Sequence, residues 1–258
     1  MHACSFLFYK YYFICTIKIM NQEQQWLLHD KYNGIESDAF YDDVKRLEYG
    51  EPLAYIIGWV PFCGTKIYLD SHPLIPRPET EYWTKLAIDE IKEKKNIKVL
   101  DLCAGSGCIG VAVLKNIPDS IVDFVEIDTS HHATILKNVR ENGIDENRVK
   151  IFDGNLFENI TDQYDVIVTN PPYIDPQLAH RVGENVLEYE PEIALFGGNA
   201  GMELITEILA QIPHFLRPGG VLYIEHEPEQ AAQIQKLLPG IKPQKDQFGV
   251  VRFSVYNK

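Results

Sequence analysis

The sequence predicts an α/β protein whose core is a mostly parallel sheet covered by helices on both faces, with an antiparallel C-terminal edge and a small helical domain in front. Three observations predict it. Short apolar runs at 97–103, 121–127, 149–152, 165–169 and 221–225 have the length and the β-prone content of strands. Helix-length segments, including 129–142 and 200–216, separate several of them, and that alternation packs as a parallel sheet between two helical layers. The tail "VVRFSVYN" at 250–257 alternates at period two, as an antiparallel edge strand does.

In chain order, residues 1–19 are apolar and aromatic with lysines as their charges, which resembles a signal or an anchor. Lys10 and Lys18 interrupt the run, and no small-residue cleavage site follows before "NQEQQ". Met20 opens a helix-prone stretch, so residues 1–19 read either as an extension upstream of the true start or as a genuine segment. Residues 20–58 are polar and helix-prone, with apolar positions at Trp26, Leu27, Tyr32, Phe40, Val44 and Leu47, and predict the helical domain. Residues 59–76 hold three prolines, a glycine and short β-prone pieces, which suits a hairpin-like connector. The larger domain then runs over 77–258. Its first helix, "PETEYWTKLAIDEIKEKK", opens on proline and acids and closes on lysines, in line with the start signals and the dipole preference of a helix.

Composition narrows the function. The 258 residues suffice for one large core, or a medium core and an accessory domain. The formal charge of −13 argues against a long nucleic-acid footprint, because phosphate binding needs clustered Lys and Arg. The five cysteines (Cys4, Cys15, Cys63, Cys103 and Cys108) form no CxxC and no zinc-ligand spacing, so no metal is expected and reduced thiols in a reducing cytoplasm are the simplest account.

Two stretches carry chemistry. In "KVLDLCAGSGCIGVAVL" a buried strand runs into a glycine-rich turn and a helix. Gly105, Gly107 and Gly110 satisfy GxGxxG, and Glu126 ends the next strand about 20 residues on, which predicts a nucleotide-type cofactor. Asp101 discriminates between cofactors, since a carboxylate beside a pyrophosphate is repelled, whereas beside a methionine ammonium it is attracted through backbone or water. The pattern D-x-x-x-G-x-G is similar to the methyltransferase motif for S-adenosylmethionine, with Glu126 taking the ribose hydroxyls. Cys103 and Cys108 read as small packing residues, and His131 and His132 as exposed. In "YDVIVTNPPYID" a strand meets two prolines that have no N–H, leaving the Asn170 side chain and nearby carbonyls as acceptors. Such a pocket suits a substrate that presents an NH2 group, on a carboxamide or on a base.

Taken in order, "RLEYGEPLAYIIGW", "IPRPETE", "VLDLCAGSGCIG", "GNLFE", "VTNPPYI", "YEPEIALFGGNAGM" and "LRPGGVLYIEHEPEQ" closely resemble the PrmC/HemK family of protein-(glutamine-N5) methyltransferases, over about residues 44–230. The resemblance implies a class I S-adenosylmethionine-dependent methyltransferase fold, Rossmann-like, with a helical N-terminal domain that engages the substrate. It implies a cytoplasmic enzyme acting on the Gly-Gly-Gln glutamine of class I peptide-chain release factors. It also implies site residues. Asn170, Pro171, Pro172 and Tyr173 fall on the substrate-amide motif, with Tyr173 as a wall for the planar amide, and Asn170 also faces the cofactor. Asp101 and the stretch Cys103, Ala104, Gly105, Ser106 and Gly107 fall on the cofactor loop, Glu126 on the ribose acid, and Asn155 with Leu156 on the adenine side. Three positions depart from the family pattern: Cys103 stands for a glycine, Glu126 for an aspartate and Asn155 for an aspartate. No membrane association is expected, and the chain is expected to work as a monomer. The alternative reading is an N6-adenine or other exocyclic-amine nucleic-acid methyltransferase, which the charge of −13 and the lack of a basic target-reading segment do not favour. A silent cofactor-fold binding module and a nicotinamide oxidoreductase are weaker still, because the Asn-Pro-Pro-Tyr set is complete and no hydride-handling constellation is present.

Overall fold

The computed structural model describes residues 20–258, so the alternatives for residues 1–19 lie outside the described residues. The chain divides into two compact units at Tyr49/Gly50, earlier than the 58/59 boundary that composition suggests. In the first unit, α1 (Gln22–Asp30) starts with a capping box in which Asn21 and Gln24 satisfy each other's backbone N–H, and α2 (Asp38–Glu48) starts on the Ser37 hydroxyl. Leu27 and Phe40 are fully buried between these helices. The Asp43 carboxylate takes Lys31 at 2.6 Å, the Tyr32 hydroxyl at 2.6 Å and Arg46 at 2.7 Å.

The second unit begins with α3 (Leu53–Ile57), which Gly58 ends in the left-handed conformation at φ +89°. An antiparallel hairpin follows, β1 (Trp59–Phe62) and β2 (Thr65–Tyr68). The sheet and its helices are then α4 (Pro78–Ile91), β3 (Lys98–Leu102), α5 (Cys108–Asn116), β4 (Ile121–Glu126), α6 (His132–Glu141), β5 (Val149–Asp153) and β6 (Tyr164–Thr169), continuing with α7 (Glu184–Tyr189), α8 (Glu203–Phe215), β7 (Leu216–Glu225), α9 (Ala231–Leu237), β8 (Lys242–Lys245) and β9 (Val251–Asn257). The strand order is β5-β4-β3-β6-β7-β9-β8, with β5 through β7 parallel and β8 and β9 antiparallel at one edge.

Alternation along the strands divides the core. Val99, Val122, Val166 and Val168 face the layer that holds Trp83 of α4, Val111 of α5 and Ile135 of α6. Leu100, Leu102, Ile167 and Leu222 face Ile205, Ile208 and Ile212 of α8 and Ile234 of α9. β3 is buried at every residue, as a central parallel strand covered on both sides must be. The hairpin's polar backbone is met by α6, where the side-chain amides of Asn138 and Asn142 each bond both the N–H and the C=O of one hairpin residue, Tyr68 and Lys66 respectively. Asn138 also donates to the Ser106 carbonyl at 2.9 Å, tying the hairpin to the glycine-rich turn.

Several elements differ from expectation. α8 begins at Glu203 instead of 200 because Ala200 and Gly201 lie at φ +51° and +66°, which an α-helix does not admit. β7 begins at Leu216 instead of 221, with a register shift against β6 between Tyr164 and Val166. β8 is polar, "KPQK", and exists only through its pairing with β9, so no local pattern announces it. Among the described residues no helix is long and apolar enough to cross a membrane.

Gly110, the third glycine of the turn motif, is where α5 lies closest to β4. A Cβ there would stand 2.3 Å from Phe124 Cε1 and 2.9 Å from Val122 Cγ1. Gly110→Ala is expected to lower stability by about 1–3 kcal/mol, the usual cost of overpacking a filled interior, as read by urea denaturation.

Candidate active site

β3 sits between β4 and β6 and the chain leaves the carboxyl ends of β3 and β6 toward different connections, which opens a crevice at that switch point. The turn after β3 closes through three left-handed residues, Cys103 at φ +60°, Gly105 at +54° and Gly107 at +74°, and the Gly107 N–H reaches the Ala104 carbonyl at 2.7 Å. Cys103 thus holds a glycine-favouring conformation at the position where the family pattern has glycine. Glu126, at the end of β4, holds the turn. Its Oε2 accepts the Gly105 N–H at 2.7 Å and its Oε1 accepts the Asp128 N–H at 2.8 Å.

The crevice forms a cavity of about 180 Å³. Cys103, Ala104, Gly105 and Ser106 supply one wall, Glu126 the strand end, Asn155 and Leu156 a second wall, and Asn170 with Pro172 a third. A Cβ on Gly105 would meet nothing within 4 Å, so this glycine leaves its space to the cavity. Apolar walls at Val125, Ile127 and Leu156, a carboxylate at Glu126 and the open backbone at Gly105 fit a nucleoside with ribose hydroxyls. At the far wall the Asn170 Nδ2 donates to the Thr80 hydroxyl at 3.2 Å, while its Oδ1 is buried and has no partner. A buried acceptor without a donor is costly unless a ligand supplies one. The residues present therefore fit S-adenosylmethionine beside a substrate that donates a hydrogen bond.

Four expected site residues lie outside the cavity wall: Asp101, Gly107, Pro171 and Tyr173. Asp101 is fully buried, accepts the Gly110 N–H at 2.8 Å through Oδ2 and leaves Oδ1 unpartnered. Burial pushes its carboxyl up to about 8, against the lowering effect of that hydrogen bond. It thus sits inside the fold, against α5, with one oxygen committed to Gly110 and no direct place in the cavity wall. Gly107 caps α5, with Ile135 and Phe124 packed against it. Pro171 is buried. Tyr173 lines a second cavity, beside Arg181 and Gln230, and its hydroxyl donates to Glu225 Oε1 at 3.0 Å. The ring packs against the core layer formed by α8 and β7.

Other residues enter that the sequence reading passed over. His131, expected exposed, is buried, bonds the Ser71 hydroxyl at 2.8 Å through Nδ1 and lines the cavity. Cys108 is buried in the core as expected and also reaches the cavity wall. Thr80 lines the cavity from α4 and donates to Glu225 Oε2 at 2.7 Å. The one signal for Thr80 was its place inside "IPRPETE". Among the described residues no group of three or more His, Cys, Asp or Glu side chains is placed to hold a metal ion.

The parallel sheet, the glycine turn and the cavity at the switch point define a class I S-adenosylmethionine-dependent methyltransferase. Residues 78–193 match the methyltransferase small domain. The release factor glutamine methyltransferase of Streptococcus pneumoniae is 36% identical over 228 residues, covering 85% of this chain and 80% of that protein. The protein of the same name from Francisella tularensis is 38% identical over 199 residues, covering 76% and 69%. Among solved structures, a ribosomal protein L11 methylase from Lactobacillus delbrueckii superposes with a TM-score of 0.52 at 17% identity, covering 70% of this chain and 79% of that one, which shows the shared fold. The chain belongs to the release factor glutamine methyltransferase family.

The raised Asp101 carboxyl has a stability consequence. The unfolded chain releases this proton near the ordinary value of 3.8, while the folded chain keeps it until about 8. Between those values the folded state binds more protons, so this group makes stability fall as pH rises. Asp101→Asn removes that dependence. Its melting temperature relative to the parent protein is expected to improve steadily from pH 5 to pH 8 in a calorimetric series.

Proposed function

We propose that the protein transfers the methyl group of S-adenosylmethionine to the side-chain nitrogen of the glutamine in the Gly-Gly-Gln motif of class I peptide-chain release factors. The observation that carries this reading is the unpartnered Asn170 Oδ1, buried at the wall of a cavity whose opposite side is the Glu126-held glycine turn. The two relatives described above are named as release factor glutamine methyltransferases, which supports this reading. We further propose that it acts as a cytoplasmic monomer, and that the helical unit before Gly50 contributes to recognising the release factor.

When bound, S-adenosylmethionine supplies a methyl group activated by a sulfonium. In this reading the backbone of Cys103, Ala104, Gly105 and Ser106 holds one end of it, and Glu126 takes its ribose hydroxyls through the lone pairs that Gly105 and Asp128 leave free. Asn155 and Leu156 border its base.

A glutamine nitrogen is a poor nucleophile because its lone pair is delocalised into the carbonyl. Asn170 Oδ1 takes one of its two hydrogens, holds the nitrogen in place and stabilises the positive charge that grows on it as the new bond forms. No strong base is needed on this route, since the methylated amide can release its proton to water or to a carbonyl. Pro171 lies behind the cavity wall, so the acceptor role rests on the Asn170 side chain. Pro171 and Pro172 contribute by ending β6 without N–H groups that would compete for that oxygen.

The reading is tested by incubating the chain with labelled S-adenosylmethionine and either a release factor or DNA. Label on the Gly-Gly-Gln glutamine supports it, and label on DNA alone overturns it. Asn170→Ala is expected to lower turnover about 100-fold or more, the scale of losing one preorganised polar contact to a developing charge. Cofactor binding should remain measurable by titration calorimetry. Turnover at the parent level in that variant would remove Asn170 from the reaction.

A further inference from the structure

Thr80 stands between two polar groups, and the direction of each hydrogen bond can be worked out. Its side chain is essentially buried, 1% exposed. A threonine hydroxyl has one hydrogen to give and lone pairs to accept with. The hydrogen goes to Glu225 Oε2 at 2.7 Å. That same oxygen receives the Trp83 indole N–H at 2.6 Å, from a group that can only donate, and Oε1 receives the Tyr173 hydroxyl at 3.0 Å. With three donors converging on it, the Glu225 carboxylate is an acceptor, and the Thr80 hydrogen is committed.

What Thr80 has left for Asn170 is a lone pair. The two ends of an asparagine amide have nearly the same shape and opposite polarity, so the surroundings choose which end faces which way. Here the NH2 end turns to Thr80, at 3.2 Å, and the oxygen end is left without a protein partner. A flipped amide would place its oxygen against a hydroxyl whose hydrogen is already used. It would also offer donors to a substrate NH2 that itself donates.

We propose that Thr80, backed by Glu225, is the positioning residue that sets the polarity of the Asn170 amide, so that its oxygen faces the substrate nitrogen. This rests on the reading of Asn170 as the acceptor for the glutamine amide. Thr80 acts through Asn170 and fixes which chemical class the pocket accepts, an NH2 donor over a carbonyl.

The test compares Thr80→Val, which keeps the shape and loses the hydroxyl, with Thr80→Ser, which keeps the hydroxyl. Thr80→Val is expected to lower kcat about tenfold, the factor associated with one neutral hydrogen bond, with the cofactor dissociation constant by calorimetry and the release-factor KM close to those of the parent protein. Thr80→Ser should return most of that loss. If Thr80→Val no longer binds cofactor, Thr80→Ser and Thr80→Ala, which differ only in the Oγ atom, carry the same comparison. Parent-level kcat in Thr80→Val, or equal loss in the variants with and without the hydroxyl, overturns the role of Thr80 and leaves the assigned reaction standing. Absence of glutamine methylation by the parent protein, run in parallel, overturns the assigned reaction and this inference with it.

Discussion

The pairing of β3 between β4 and β6 is the constraint from which the site follows. With both neighbours parallel to it, the three strands end at one edge of the sheet, and there the backbone leaves each of them in a different direction. Polar groups freed at those ends have no ladder partners. The fold meets the need locally, through Glu126 taking the N–H groups of Gly105 and Asp128 and through Thr169 donating its hydroxyl to the Leu102 carbonyl at 2.8 Å. It leaves Asp101 Oδ1 unmet inside the fold and Asn170 Oδ1 unmet at the cavity wall.

Three carboxyl groups near this edge show how burial and donor count set different tasks for similar side chains. Asp101 is enclosed, has a single backbone donor and is pushed up to about 8, because burial favours the protonated form. Glu225 is equally enclosed and burial raises its carboxyl too, but Trp83, Thr80 and Tyr173 all donate to it and pull the other way. Glu126 is bound by two backbone N–H groups and borders the cavity. The first packs the glycine turn against α5, the second joins α4 to the strand end of β7, and the third borders the cavity. At the opposite end of the sheet, Lys98 pairs with Asp123 at 2.9 Å and with Asp162, and Tyr164 donates to Asp123, so the charges there satisfy one another.

Much of the fold was legible because its signals are local. The apolar runs that became β3, β4 and β6 are largely buried strands, and β5 is a half-exposed one at the sheet edge, and length and composition name all four without reference to the rest of the chain. The glycines were legible for the same reason: Gly107 needs a positive φ, and Gly110 needs the space that Phe124 occupies. Asn170 was legible because two prolines in a row remove donors wherever they fall. β8 was not, because "KPQK" becomes a strand only when β9 offers it a ladder.

The sequence by itself determined the alternation of strands and helices that makes a mostly parallel sheet, the glycine turn, the acid at the end of β4 and the acceptor at the end of β6, since each depends on residues close together in the chain. Only the tertiary structure decided which of these border the cavity. Asp101 and Glu126 differ little as sequence signals, yet one is sealed against α5 and the other borders the cavity. Tyr173 follows Asn170 by three residues, yet it lines a different cavity and donates its hydroxyl to a carboxylate from β7. Thr80 sits 90 residues before Asn170. The direction of a hydrogen bond between them depends on a third residue still farther along, and no pattern in a linear chain encodes which partner takes a single shared proton.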